Sequence, residues 1–202
     1  AMAPNVLVVH PSLPVKSVKE LAALARKRPG ELNYAVGAAG SAMHLGAELF
    51  KSTMHLEIVR VPFKGTSYGL TALMAGQVQL MFNTMPTVLP HVKTGRLRAL
   101  AVGSARRAKT VPDIPTVAES GVPGFEATTW WGMVAPAKTP ASIIAKLGTQ
   151  IERVLTDPEI SQRMLAQGAE VQGSSPESLA KFMREESARM RKVIASAGIK
   201  AE

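Results

Sequence analysis

The 202-residue sequence predicts an α/β fold, and three observations carry that reading. Two segments repeat one order: an apolar strand-like run, a short glycine-containing loop with a hydroxyl residue, then a helical pattern. They are Leu32 to Val36 ahead of the loop Gly37 to Ser41, and Ile58 to Phe63 ahead of the loop Lys64 to Ser67. Strand-like and helix-like stretches also alternate through the first half at the spacing of a parallel sheet with right-handed crossovers. Beyond Pro136 the pattern turns almost wholly helical.

The elements follow in order. Ala3 to His10 reads as a first strand. Ser17 and Glu20 have capping-box spacing, the apolar residues after them recur at helical intervals, and Pro29-Gly30 ends that helix. A second helix starts at Gly40-Ser41 and puts Leu45, Leu49 and Phe50 on one side. A third starts at Lys64-Gly65-Thr66 and runs to Gly76. Val78 to Phe82 is the next strand, followed by Asn83-Thr84-Met85-Pro86, a helix ending near Gly95, and a strand over Leu97 to Val102. Prolines 112, 115 and 123 and glycines 121 and 124 make Val111 to Gly124 a linker into the strand Thr128 to Val134. Helices are expected over Pro140 to Leu155, Pro158 to Gln167 and Ser175 to Ala195, with Ser175 as N-cap, Pro176 in the first turn, and a short strand at Ala169 to Gln172. Three helices and one short strand do not complete an α/β domain, so they are expected to cover a sheet supplied from elsewhere or to pack onto the first domain.

A hydrophobic fraction of 46% supports a packed core, and no apolar stretch approaches the roughly 20 residues of a membrane-spanning helix. The start shows no basic region leading into an apolar one, so a mature or trimmed product is expected. Zero cysteines exclude disulfides, thiolate metal sites and a cysteine nucleophile in these residues, and leave the compartment open. The net charge of +9 is uneven: residues 1–125 hold 14 basic and 6 acidic side chains, residues 126–202 hold 10 and 9. Arg96, Arg98, Arg106, Arg107 and Lys109 lack aromatic neighbours, which argues against nucleic acid and for a solvated face that steers anions.

A helix leaves its first N–H groups without intrahelical partners and carries about half a positive charge at that end, so each glycine loop is a candidate anion cradle. Either loop alone reads better as a tight turn with an N-cap, and the pair in one sheet reverses that preference. Two on neighbouring strands face one ligand. In open sheets ligands sit beyond the carboxyl ends of the strands. The candidate ligand-binding residues are therefore Ala39, Gly40 and Ser41 in the first loop, Lys64, Gly65 and Thr66 in the second, and Asn83 after the next strand. Lys64 reads equally as a solvated lysine beside a turn.

Catalytic readings are thin. His44 follows Ser41 by three residues, but no carboxylate stands nearby in sequence to orient the imidazole, and Ser41 lies outside a Gly-x-Ser-x-Gly elbow. His44 reads better as a packed, hydrogen-bonded structural residue. Histidines 10, 44, 55 and 91 lack metal-ligand spacing, and no metal site is expected. Met43, Met74, Met81 and Met85 read as core filling, and one of Trp130 and Trp131 as core with the other walling a cleft.

Five motifs carry a resemblance: Gly-x-x-Gly-Ser-x-x-His-Leu at 37–45, Val-Pro-Phe-Lys-Gly-Thr at 61–66, Gly-Gln-Val-Gln-Leu-Met-Phe at 76–82, Gly-Arg-Leu-Arg-Ala-Leu-Ala-Val at 95–102, and Pro-Asp-Ile-Pro-Thr-Val-Ala-Glu-Ser-Gly at 112–121. Together they resemble the periplasmic solute-binding receptors of tripartite tricarboxylate transporters, the Bug family. The resemblance implies a type II periplasmic-binding-protein-like Venus flytrap that captures a small carboxylate, often partly through ordered water, and delivers it to membrane permease subunits. It implies a periplasmic location, no cofactor and no catalysis. It also implies that residues 3–125 form ligand-binding lobe two, and that residues 126–202 form a crossover strand and the C-terminal helices of an incomplete lobe one, about a hundred preceding residues being absent. In a truncated form the uncovered helices are expected either to fold back on the first part or to bury themselves against a second copy, as a homo-oligomer. The alternative is an effector-binding domain of a transcription regulator, which requires a DNA-reading helix-turn-helix that no segment presents.

Overall fold

The computed structural model describes residues 1–196 and 198–199; of the unit expected over 126–202, positions 197 and 200–202 lie outside the described residues. The chain runs β1 (Met2–Val9), α1 (Val18–Lys27), β2 (Asn33–Val36), α2 (Ala42–Met54), β3 (Val59–Pro62), α3 (Thr66–Met74), β4 (Leu80–Thr84), α4 (Met85–Lys93), β5 (Arg98–Val102), β6 (Thr128–Trp130), α5 (Ala141–Leu155), α6 (Pro158–Ala166) and α7 (Pro176–Ser196). The α1 cap forms as the spacing predicts. Ser17 Oγ accepts the Glu20 N–H at 3.1 Å, and Glu20 Oε2 accepts the Lys16 N–H at 2.7 Å.

The sheet order is β3-β2-β4-β1-β5, with β6 paired to the start of β1. β2 is parallel to β3 and β4, whereas β1 is antiparallel to β4 and β5. The parallel sheet expected from sequence is therefore a mixed sheet with one reversed strand. Residues 3–9 of β1 are buried throughout, and a strand buried on both faces reads as an unbroken apolar run whichever way it points. Because β4 and β5 both oppose β1, strands β2 to β5 all point one way. Their carboxyl ends share an edge with the start of β1.

Each face of the sheet carries its own core. Leu7, Val9, Tyr34, Val36 and Phe82 pack beneath α1 and α2, while Val6, Val8, Ala35 and Met81 pack beneath α3 and α4. The first face is centred on Phe50, Phe82 and Phe125, with ring centroids 5.8 to 6.5 Å apart in tilted and edge-on arrangements. Met81 and Met85 fill core as expected.

The stretch from Val111 to Gly124 differs from the expected linker. Thr116 bridges Val102 beside β5, Val117, Val122 and Phe125 are buried, and Thr116 and Glu119 cap each other at 2.8 and 2.9 Å. Its prolines and glycines shape turns, but the apolar side chains between them close the end of the core. Two members of the expected solvated basic face are also structural. Arg98 donates to the carbonyls of Leu13 and Val15 at 3.1 and 2.9 Å, and Arg107 pairs with Glu119 at 2.9 Å.

Past Ala127 the packing thins. Among the described residues of that part, Ala169 is the buried hydrophobic, and α5 and α6 bury nothing. The expected strand over 128–134 is three residues long, and Ala169 to Gln172 supplies a single bridge between Glu170 and Met2. α7 reaches the body alongside α2 and β6: Phe182 meets Trp130 edge-on at 5.3 Å, and Arg189 donates to the Glu126 carbonyl at 3.0 Å.

Candidate functional site

Two of the three expected loops meet. Gly37, immediately after β2, lies so close to the start of α3 that a Cβ there would stand 2.5 Å from Thr66 N and 2.8 Å from Thr66 Oγ1. Only glycine allows that approach. The loop that leads into α2 therefore touches the first residue of α3 at the carboxyl edge of the sheet, although the two helices pack on opposite faces.

Within the first loop the hydrogen bonds are specific. Ser41 is the N-cap of α2: its Oγ accepts the His44 N–H at 3.3 Å, and its hydroxyl hydrogen can still donate. Gly40 adopts φ +72°, a left-handed conformation that suits glycine, and its N–H donates to His44 Nδ1 at 3.0 Å. Ser41 N–H donates back to the Ala38 carbonyl at 3.3 Å. Gly40 thus contributes conformation, its N–H being taken, whereas the first two amides of α2, on Ala42 and Met43, precede the first intrahelical bond. Ala38, Ala39 and Gly40 are exposed and Ser41 is half-buried.

The second loop offers more free donors. Gly65 caps α3 without a side-chain bond, so the amides of Thr66, Ser67 and Tyr68 precede the first helical bond, from Gly69 N–H to the Gly65 carbonyl at 3.3 Å. Thr66 is half-buried at the contact with Gly37, and Lys64 is exposed on the rim.

Asn83 is placed differently from the loops. It is fully buried, its Oδ1 accepts the Thr84 N–H at 2.8 Å, and its Nδ2 stands 3.7 Å from Met81 Sδ. Asn5, which the sequence reading passed over, is paired in register with Thr84 at the same edge. It is also fully buried. Its Oδ1 accepts from Thr129 Oγ1 at 2.8 Å, and its Nδ2 has no partner among the described residues. The signal for it was an amide inside an otherwise apolar strand.

The electrostatics favour an anion. α2, α3 and α4, which start at this edge, have no acid in their first turns, whereas α1, α6 and α7 carry Glu20, Glu159 and Glu177 there; α5, in the C-terminal part, has none. Nearly two turns into α2, Glu48 accepts from the Tyr34 hydroxyl, which fixes the helix to β2, and from Lys51 Nζ of the same helix at 2.8 Å. Burial, then the hydrogen bond to Glu48, pushes the Tyr34 phenol far above its ordinary value. Burial would raise the Glu48 carboxyl, but the hydrogen bonds from Lys51 and Tyr34, with the charge of Lys51, hold it below its ordinary value.

Ser41 and His44 form a cap and not a nucleophile–base pair, since Ser41 Oγ meets the backbone of His44 and the imidazole Nδ1 meets Gly40. No group of three metal-ligating side chains occurs among the described residues, and none of the described helices is long and apolar enough to cross a membrane. A cavity of about 330 Å³ opens between α2, β6 and α7, walled by Ala42, Leu45, Gly46, Trp130 and Met190; of the expected site residues, Gly40 lines it.

Residues 1–199 match the family model described as the tripartite tricarboxylate transporter family receptor. The chain belongs to this family. It is 36% identical to Protein BugT of Bordetella pertussis over 197 residues, covering 98% of this chain and 60% of BugT. It superposes on R. palustris Rpa4515, solved with adipate, at a TM-score of 0.95 and 41% identity, covering 98% of this chain and 67% of that one. MatC (Rpa3494) from Rhodopseudomonas palustris, with bound malate, superposes at a TM-score of 0.87 and 31% identity, covering 96% of this chain and 67% of that one. The family and fold implied by the sequence motifs are thus established. The chain spans about 60% of the length of the curated relatives it matches.

Proposed function

We propose that this tripartite tricarboxylate transporter receptor binds a small mono- or dicarboxylate at the paired N-termini of α2 and α3. The observation that supports the reading is the contact of Gly37, in the loop before α2, with Thr66, the first residue of α3, which brings the two loops together at one edge of the sheet. The ligands of the relatives Rpa4515 and MatC, adipate and malate, are carboxylates. Ser41, Thr66 and the exposed amides of both loops supply donors, Ala39, Gly40 and Gly65 supply backbone access, and Lys64 supplies a cation at the rim. Asn83 acts from beneath, by holding the start of α4 through Thr84.

In this reading residues 3–125 are the ligand-binding lobe, and residues 126–202 are the crossover strand and the C-terminal helices of another lobe. The protein works outside the cytoplasm, in the periplasm, and passes its ligand to membrane permease subunits. It carries no catalytic role and needs no cofactor. Calorimetry of the intact protein with adipate, malate and a panel of monocarboxylates tests the ligand class, with the corresponding uncharged amides as controls. Heat is expected from at least one carboxylate and none from its amide. An amide that binds as well as its acid refutes the anion cradle.

A further inference from the structure

The first turns of α1 and α2 are built on one plan with one chemical difference. In both, a serine N-cap accepts the N–H of the third helical residue, Glu20 in α1 and His44 in α2. In both, that residue's side chain reaches back to the amide just before the cap: Glu20 Oε2 to Lys16 N–H, His44 Nδ1 to Gly40 N–H. A reciprocal cap of this kind ordinarily uses glutamate or glutamine. Glutamate adds a negative charge to the positive helix end, which stabilises a helix with no other duty. In a site that must receive a carboxylate, the same charge would occupy the field meant for the ligand.

We propose that His44 is a positioning and specificity residue: an uncharged stand-in for the capping glutamate that shapes the Gly40-Ser41 loop and leaves the end of α2 free to attract an anion. The proposal rests on the carboxylate reading above. An Nδ1 that accepts from Gly40 N–H carries no proton, so the imidazole is neutral with its proton on Nε2. His44 is 3% exposed, which holds the ring in place. The next turn is pinned to β2 by the bond from Tyr34 to Glu48, so the imidazole is presented from a fixed helix. Gly40 at φ +72° and the bond from Ser41 N–H to the Ala38 carbonyl complete the loop that His44 closes.

Three variants of the intact protein separate shape from charge. His44→Gln keeps a neutral acceptor, His44→Glu keeps an acceptor but charges it, and His44→Leu removes the acceptor. With adipate and malate as probes, His44→Gln should bind within about threefold of the parent, and His44→Leu about tenfold more weakly. His44→Glu should lose more than about a hundredfold, as expected for like charges brought together. Exchange of the Gly40 amide should stay slow in the parent and the Gln and Glu variants and become fast in the Leu variant. Equal affinity of the Glu and Gln variants overturns the charge argument, and a Gln variant as weak as the Leu variant overturns the positioning argument. If the parent binds no carboxylate, the functional reading and the specificity role fall together. The cap is then judged by exchange alone, and a Gly40 amide equally protected in the parent and the Leu variant removes it too. If the Glu variant fails to fold, His44→Asp takes its place with the same expected loss, and equal affinity of the Asp and Gln variants overturns the charge argument.

Discussion

Residues 3–127 and residues 128–199 share an apolar periodicity but not its consequence. In the first region nearly every predicted apolar position is buried against one face of a sheet. In the second, Ile143, Leu147 and Val154 of α5 stay about half exposed, and Trp131, Met133 and Val134 more or as much so, although α5 forms over the predicted span. Helical periodicity therefore specifies an amphipathic helix, and only a facing surface decides whether its apolar stripe is buried. The sheet supplies that surface to α1 to α4. α5 packs on α6, and α7 lies along the flank of α2.

That contrast can be broken most directly by core truncation. Phe82→Ala, which empties the space between Phe50 and Phe125, should destabilise the chain by about 3–5 kcal/mol in urea titration. Leu147→Ala on α5 should fall within about 0.5 kcal/mol of the parent. Similar costs for the two would show that α5 is as well packed as the sheet. The second expectation concerns what the exposed face does in solution. Contiguous apolar surface of this kind drives association, so sedimentation of this chain should show concentration-dependent oligomers that Ile143→Asp with Leu147→Asp disperses. A monomer at every concentration would mean that the helices fold back on the body.

A smaller effect follows from the Glu48 cluster that ties α2 to β2. Its carboxyl lies below the ordinary glutamate value in the folded chain, so the unfolded chain takes up that proton first as pH falls. The associated stability is full above the ordinary value and is lost on acidification through the folded one. Glu48→Gln should cost about 1–2 kcal/mol at neutral pH and flatten the acid limb of the stability curve. An unchanged acid limb would contradict it. Smallest is the charge effect. With Arg98 and Arg107 engaged in the fold, steering falls to exposed Arg96, Arg106 and Lys109. Raising salt should slow ligand association modestly while dissociation stays constant, and neutralising these three should remove the dependence.

Much of the site could be read from local sequence, because caps and tight turns are local. Ser17 with Glu20, Ser41 at the start of α2, Gly65 before α3 and a hydrogen-bonded His44 all stand where the spacing placed them. The direction of β1 was not legible, since burial on both faces removes the alternation that would reveal its pairing. Val111 to Gly124 misled for a related reason: proline and glycine announce turns, while Val117, Val122 and Phe125, which pack the stretch against β5, are too few and too unevenly spaced to show a period. The approach of Gly37 to Thr66 and the pairing of Asn5 with Thr84 are tertiary, joining residues far apart in sequence.

The central claim is that the loops before α2 and α3 form one anion site, and a double-mutant cycle on ligand affinity tests it most directly. Calorimetry of the intact protein with its best-binding carboxylate would compare the parent, Ser41→Ala, Thr66→Val and the double variant. Each single change should cost about 0.5–1.5 kcal/mol, or more where the lost partner is a charged oxygen, and the double variant should depart from additivity because both hydroxyls serve one ligand. If the double variant binds with the affinity of the parent, the carboxylate does not lie between these two helix ends.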